Sequence, residues 1–393
     1  MRVCMLSECY EPTCNGVSTS VRALVDELRA RSHHVVIVAP HYASHHDASR
    51  LVLRLPSFHT RWNRDYPVAC PWLPFAPRRL RRLCPDIVHS HGAFFVGVLA
   101  WRLARQVGAP LVSTYHTLYE HYSHYVAFLP DPVVRAMLDR WMPRYYNACA
   151  SIIAPSRVAE RSLRQYGVHR PVAIVPTGVP VPAPSTVNTD ARQQARERFG
   201  IPPDSPMILA VGRIAREKNL DLVLAAFLRL RHARPEVRLL VVGGGPHLEQ
   251  YRAAVQANAY GGQATLTGPV PHHELPPIYA AADAFVLGST TETQGLVVAE
   301  ARAAGTACVV VNAGGAGETV RHGEDGFVVD PSPEAVASAL ETLLADDELR
   351  ARMRDACLAS AARWTPEAMA DKVEEVYRGA SEARTALTPE TAG

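Results

Sequence analysis

Strand-length apolar runs alternate with helical stretches along nearly the whole chain, and the alternation starts afresh at its middle. In the first half the runs are residues 3–6, 34–39, 87–89, 111–115, 151–154 and 173–175, with a first helix at 18–31. A second set occupies 208–211, 238–242, 264–267, 284–287, 306–311 and 326–329. Runs without a polar face fit parallel strands covered by helices on both sides. Between the sets lies Pro180-Val181-Pro182-Ala183-Pro184, followed by polar residues to Asp190, a linker composition. The chain therefore reads as two α/β units joined by a linker, with ligands expected in the cleft between them. Ser332 and Pro333 start a helical tail as N-cap and first helical residue, and Asp346-Asp347 divides it. A last helix runs from Trp364-Thr365-Pro366 to about Arg378, with fraying expected from Ala380. The expected segments are 1–180, 181–364 and 365–393.

A length of 393 residues supports two domains with separate cores, and a net charge of +3 gives no reason to expect nucleic acid as a partner. Neither a signal core nor a membrane-length apolar run is present, so the expected compartment is the cytoplasm. The eight cysteines lack paired spacing; Cys4, Cys9 and Cys14 fall five apart, which matches no common zinc arrangement. His33, His34, His45, His46, His272 and His273 form no metal-type pair and are expected at the surface. Trp72, Leu73 and Phe75 precede Pro77-Arg78-Arg79-Leu80-Arg81-Arg82, which suits either an anionic bilayer or the solvated face of a short helix.

Thr291-Glu292-Thr293-Gln294-Gly295-Leu296-Val297-Val298-Ala299-Glu300 carries the strongest chemical signal. Two carboxylates flank a glycine turn and a helix start, and eight steps of helical rise would separate them by about 12 Å. One acid then meets sugar hydroxyls and the other a ribose diol, while the helix N-terminus between them receives a diphosphate. In isolation the same residues are an N-terminal acid and a surface acid of one helix. Val211-Gly212-Arg213-Ile214-Ala215-Arg216-Glu217-Lys218-Asn219 follows a strand, and its Arg213 and Lys218 suit two phosphates or form a solvated basic loop. Glu11-Pro12-Thr13-Cys14-Asn15-Gly16-Val17 is either a phosphate-approach loop or an ordinary Asn-Gly turn. Gly243-Gly244-Gly245 allows close packing near a nucleotide or a plain turn; neither G-x-G-x-x-G nor a Walker sequence occurs. Residues 113–125, rich in Tyr and His, leave a strand and suit sugar and acceptor contacts.

Together, Glu11-Pro12-x-x-Asn15-Gly16, Pro176-Thr177-Gly178, Gly212-Arg213 and Glu292-x7-Glu300 resemble the retaining glycosyltransferases of family 4, group 1, over nearly the full length. Thr114-Tyr115-His116-Thr117-x-Tyr119-Glu120-x-Tyr122-x-His124-Tyr125 and Thr293-Gln294-Gly295 are similar to its glycolipid branch, with diacylglycerol glucosyltransferases, phosphatidylinositol mannosyltransferases and sulfoquinovosyl transferases. Asn15 stands where many members have a second glycine, and Thr293-Gln294 where many have phenylalanine. The resemblance implies the GT-B architecture, two Rossmann-like domains facing across a donor and acceptor cleft, with the last helix returning to the first domain. It assigns Gly16, Arg213 and Lys218 to the donor phosphates and Glu292 to the sugar hydroxyls. The backbone of Gly295, Leu296 and Val297 is assigned to phosphate, Glu300 to the ribose, Val270 to the base, and His116 to the sugar's hydroxymethyl group and acceptor. The implied reaction is retaining transfer from a UDP-sugar, in preference to a GDP-sugar, to a lipid, without a metal or cofactor and with peripheral membrane contact. Two alternatives are transfer to a soluble small molecule and nucleotide-sugar binding without transfer.

Overall fold

Burial on both faces turns the apolar runs into parallel strands. The computed structural model describes every residue except 14, 44, 60–66, 71–79, 122–128, 258–259, 261 and 388–393. It divides into two compact units, Met1–Gly178 with the segment from Pro366 onward, and Val179–Thr365. The chain thus crosses between units at 178–179 and 365–366, against 180–181 and 364–365 in the sequence reading.

The first unit's strands are β1 (Arg2–Ser7), β2 (His34–Pro40), β3 (Val52–Leu55), β4 (Ser57–Phe58), β5 (Val68–Ala69), β6 (Ile87–His91), β7 (Leu111–Thr114), β8 (Ser151–Ala154) and β9 (Val172–Ile174). Seven of them form one parallel sheet in the order β3-β2-β1-β6-β7-β8-β9, while β4 and β5 pair antiparallel. Val3 stands beside Val35 on one side and Ile87 on the other, so the strand order reverses between β1 and β6. In the second unit β10 (Met207–Val211), β11 (Arg238–Val242), β12 (Ala264–Gly268), β13 (Ala284–Leu287), β14 (Cys308–Val311) and β15 (Gly326–Val329) order as β12-β11-β10-β13-β14-β15. That order reverses between β10 and β13. Such a reversal opens a crevice at the strands' carboxyl ends, where open α/β sheets take ligands.

Helix ends follow local chemistry. The first helix, Gly16–Ala30, begins two residues earlier than expected because Asn15 and Ser18 form a capping box, with Ser18 N–H donating to Asn15 Oδ1 at 2.8 Å. Ser332 caps Pro333–Ala345, and Asp346 caps Asp347–Ala361. The last helix corrects the sequence reading. It continues to Leu387 rather than fraying at Ala380: Met369, Ala370, Val373, Tyr377 and Ala380 form a helical stripe buried with Met5, Ile37 and Ile153, and beyond it Arg384 lies over Gly108, where an added Cβ would stand 3.2 Å from its Nη2. This helix packs on Gly16–Ala30, where Arg31 reaches Asp371 at 2.6 Å and His33 lies 2.6 Å from Glu374.

Most of the tryptophan and arginine patch lies outside the described residues, as do Tyr122, His124 and Tyr125. Leu80, within that patch, is buried in the core, whereas Arg81 and Arg82 are exposed. His34, His46 and His273 are exposed as expected; His33 and His45 are half-buried beside Glu374 and Asp47. The seven described cysteines are free. Among the described residues, no helix is long and apolar enough to cross a membrane.

Candidate active site

The sequence-predicted anion-binding groups of the second unit follow the two strands that flank its reversal point. After β10, Gly212 and Arg213 lead to a short turn, Arg216–Lys218, closed by Asn219 with a left-handed φ of 51°. Three glycines hold this loop close: a Cβ on Gly243 would lie 1.8 Å from Gly212 O, and one on Gly245 would lie 2.3 Å from Ile214 O. Ile214 N–H also donates to Gly244 O at 2.8 Å. The glycine run therefore serves backbone packing against the Arg213 loop. Ser289 Oγ donates to Glu217 O at 3.0 Å, and Asn219 Nδ2 to Gly288 O at 3.1 Å, tying the β10 and β13 loops together.

That tie brings Lys218 against Glu292, whose carboxylate accepts from its Nζ. Glu292 is 13% exposed and Lys218 27%, so the pair is partly shielded from water and worth more than a solvated surface pair. The Glu292 backbone is fixed too, with Gly315 N–H donating to its carbonyl at 2.6 Å. Thr293 is half-buried and Gln294 buried; Gly295, with φ 81°, then caps the helix Leu296–Ala303. Leu296 and Val297, as its first residues, have no acceptor for their N–H groups within the helix. The expected 12 Å helical separation needs correction. Only the steps from Leu296 to Glu300 are helical, about 6 Å of rise, and the remaining residues are loop. Arg213 lies half-buried on the same loop as Lys218, five residues ahead of it.

Glu300 is 11% exposed and has defined partners. The Tyr279 hydroxyl donates to Oε2 at 2.6 Å, and His272 Nε2 stands 3.0 Å from Oε1. His272 was expected at the surface; its side chain is 38% exposed, and its ring also contacts the Glu300 carboxylate. Val270, two residues ahead, is half-buried against the core cluster that contains Leu240 and Val242.

The first unit holds the other two predicted residues. Gly16 opens its helix with helical backbone, so a left-handed φ is not the reason for glycine there. His116 follows β7 with Nε2 2.9 Å from His91 Nδ1 and the rings stacked at 5.2 Å. Burial lowers the His116 ring to about 4 and the His91 ring well below its ordinary value, so both are neutral near pH 7. His91 Nε2 is buried without a hydrogen-bond partner among the described residues. Next to it His89 bridges Thr114 Oγ1 at 2.8 Å and the Tyr377 hydroxyl at 2.7 Å. The aromatic stretch after His116 divides between fold and surface. Tyr115 is fully buried, with its hydroxyl 2.9 Å from Ser162 Oγ, and Glu120 accepts from Ser162 and Tyr166.

Sequence reasoning missed His89 and His91 although the signal existed: two histidines at i and i+2 share one face at the end of a buried strand. It also missed Glu8, directly after β1, which accepts from Phe94 N–H at 3.1 Å and is raised by burial to about 7.

Comparison with known proteins gives this arrangement its family. The description "Glycosyltransferase Family 4" matches residues 14–181, and "Glycosyl transferases group 1" matches residues 191–357. Alpha-monoglucosyldiacylglycerol synthase of Streptococcus pneumoniae is 30% identical over 78% of this chain and 70% of its own length. D-inositol 3-phosphate glycosyltransferase of Xylanimonas cellulosilytica is 33% identical over 77% of this chain and 73% of its own. The solved structure of Anabaena Alr3699/HepE in complex with UDP and glucose shares the fold at TM-score 0.76 and 16% identity, covering 96% of this chain and 99% of that one. With two Rossmann-like units and matches of this extent across both, the chain belongs to glycosyltransferase family 4, group 1, and is a GT-B nucleotide-sugar-dependent glycosyltransferase.

Proposed function

We propose that this enzyme transfers a hexose from a UDP-sugar, in preference to a GDP-sugar, to a lipid such as diacylglycerol, with retention at the anomeric carbon. The observation that carries the donor side is the Lys218–Glu292 pair beside the start of the Leu296–Ala303 helix. When a donor enters, Lys218 turns to the diphosphate and Glu292 accepts from the sugar hydroxyls. Arg213 and the N–H groups of Leu296 and Val297 share the phosphate charge, and Glu300 takes the ribose diol. Gly16 and His116 keep their family roles, at the donor phosphate and at the sugar's hydroxymethyl group.

The bond from the anomeric carbon to the leaving phosphate oxygen breaks as the acceptor hydroxyl bonds to the same face. That phosphate oxygen takes the acceptor's proton. Preorganised positive charge stabilises the departing diphosphate, and the mechanism calls on no metal. The lipid reading is supported by the similarity to alpha-monoglucosyldiacylglycerol synthase, and UDP by its presence in the complex of the fold relative. On this reading the enzyme works at the inner face of the plasma membrane as a peripheral protein.

A soluble acceptor is the second reading, supported by the likeness to D-inositol 3-phosphate glycosyltransferase. The test is mass-resolved product formation from UDP-glucose, UDP-N-acetylglucosamine and GDP-mannose, each with diacylglycerol in anionic vesicles and with soluble acceptors. Glycosylated lipid is the expected product. Soluble products alone would overturn the lipid assignment.

A further inference from the structure

The Glu300 carboxylate is held at both oxygens, and the two holders differ in kind. Tyr279 is fully buried on Leu275–Ala281; its ring packs 5.8 Å from Phe285, and its carbonyl accepts from Thr306 Oγ1 at 2.6 Å. It is a fixed post. His272 lies on the short turn His272–Glu274 with its side chain 38% exposed. A glutamate's terminal torsion is broad, so one donor alone leaves the plane of the carboxylate free to swing. Donors at both oxygens fix it. A carboxylate offers about four lone-pair positions; Tyr279 and His272 occupy one on each oxygen, which leaves one on each. That remainder matches a vicinal diol, which presents two adjacent hydroxyl donors.

We propose that His272 is a positioning residue for the donor's ribose, holding the Glu300 carboxylate in the orientation whose remaining lone pairs receive the 2′- and 3′-hydroxyls. The inference rests on the donor reading of Glu300 given above and adds a residue whose effect runs through that acid. His272 follows Val270, the position assigned to the base, by two residues, so one short segment serves both parts of the nucleoside.

Calorimetry of UDP, GDP and their 2′,3′-dideoxy forms tests it with wild type, Glu300→Ala, His272→Ala and His272→Gln. Glutamine can return an N–H near the place of His272 Nε2. Glu300→Ala should weaken binding of the preferred ribonucleotide about 10- to 100-fold, and His272→Ala about fivefold. Neither should change affinity for the dideoxy form, and His272→Gln should recover most of the loss. A purely structural role would weaken both forms equally, which would overturn the proposal. So would a Glu300→Ala loss without any His272→Ala loss. If Glu300→Ala leaves ribonucleotide affinity unchanged, or wild type binds neither nucleotide, the donor reading itself fails.

Discussion

Replacing His89 by asparagine should make the first unit less sensitive to acid. His89 is fully buried on β6, and burial, with His116 as the smaller contribution, lowers its ring from 6.5 to about 3. In the unfolded chain the ring takes up a proton below about pH 6.5. Folded, it stays neutral until about pH 3. A histidine lowered in this way contributes its full stability above the unfolded value and loses it as pH falls toward the folded one. Each pH unit inside that window removes about 1.4 kcal/mol, so the step from about 6.5 to 5 removes roughly 2 kcal/mol on this ring alone. Against a typical domain stability of about 5–15 kcal/mol, that is readily measured. Urea unfolding at about pH 7.5, 6 and 5 is the assay, and Trp101 and Trp141 report fluorescence from this unit. His91 and His116 remain in both proteins, so the difference in pH slope reports His89 together with its smaller effect on the neighbouring His91 ring. Asparagine keeps at most part of the bridge between Thr114 and Tyr377, an offset that pH does not change. Parallel stability curves for the two proteins would refute the argument that this ring is held neutral by burial.

Three further outcomes follow from the same geometry. Glu292→Ala and Lys218→Ala should each lower kcat about 10²- to 10³-fold while circular dichroism stays native; wild-type turnover in both would remove them from the chemistry. Gly243→Ala places a Cβ 1.8 Å from Gly212 O and should cost about 3 kcal/mol, whereas Gly244→Ala meets Pro269 at an ordinary 3.4 Å. Equal melting temperatures would contradict the close packing of the Arg213 loop. Glu8 has the opposite pH sign to His89. Its raised carboxyl gives stability that is full below about 4.5 and declines toward about 7, so Glu8→Gln should flatten that decline; an unchanged slope in urea titrations counts against its burial.

The central strands were legible because a parallel strand buried on both faces leaves a run with no polar gap, as in β10, Met207–Val211, where every residue is buried. The edge strand β3 was not, since its residues are mostly half-buried and Arg54 sits inside it, paired with Asp47 at 2.6 Å. The extra helical turns after Arg378 were hidden by charge: Glu382 and Arg384 are solvated, and Ala380 is the buried core residue there. At the site, the two-glutamate spacing and the basic loop were readable as local motifs. The link between Lys218 and Glu292 spans 74 residues and that between His272 and Glu300 spans 28, so only the folded second unit brings each pair together. His272 could not be told from His273 by composition; their difference lies in which ring reaches the Leu296–Ala303 helix.

The last helix also bears on the order of events during synthesis. Residues 1–178 leave the ribosome first, yet the apolar face formed by Met5, Val21, Ile37 and Ile153 lacks its cover until Met369, Val373 and Tyr377 have been made. The second unit, residues 179–365, is continuous, and its two ends meet where Val179 N–H donates to the Trp364 carbonyl at 2.6 Å. Translation therefore completes the later unit before the earlier one, reversing the usual N-to-C sequence of domain formation. A released chain truncated before Pro366 would carry a complete second unit and a first unit with its hydrophobic face open to chaperones.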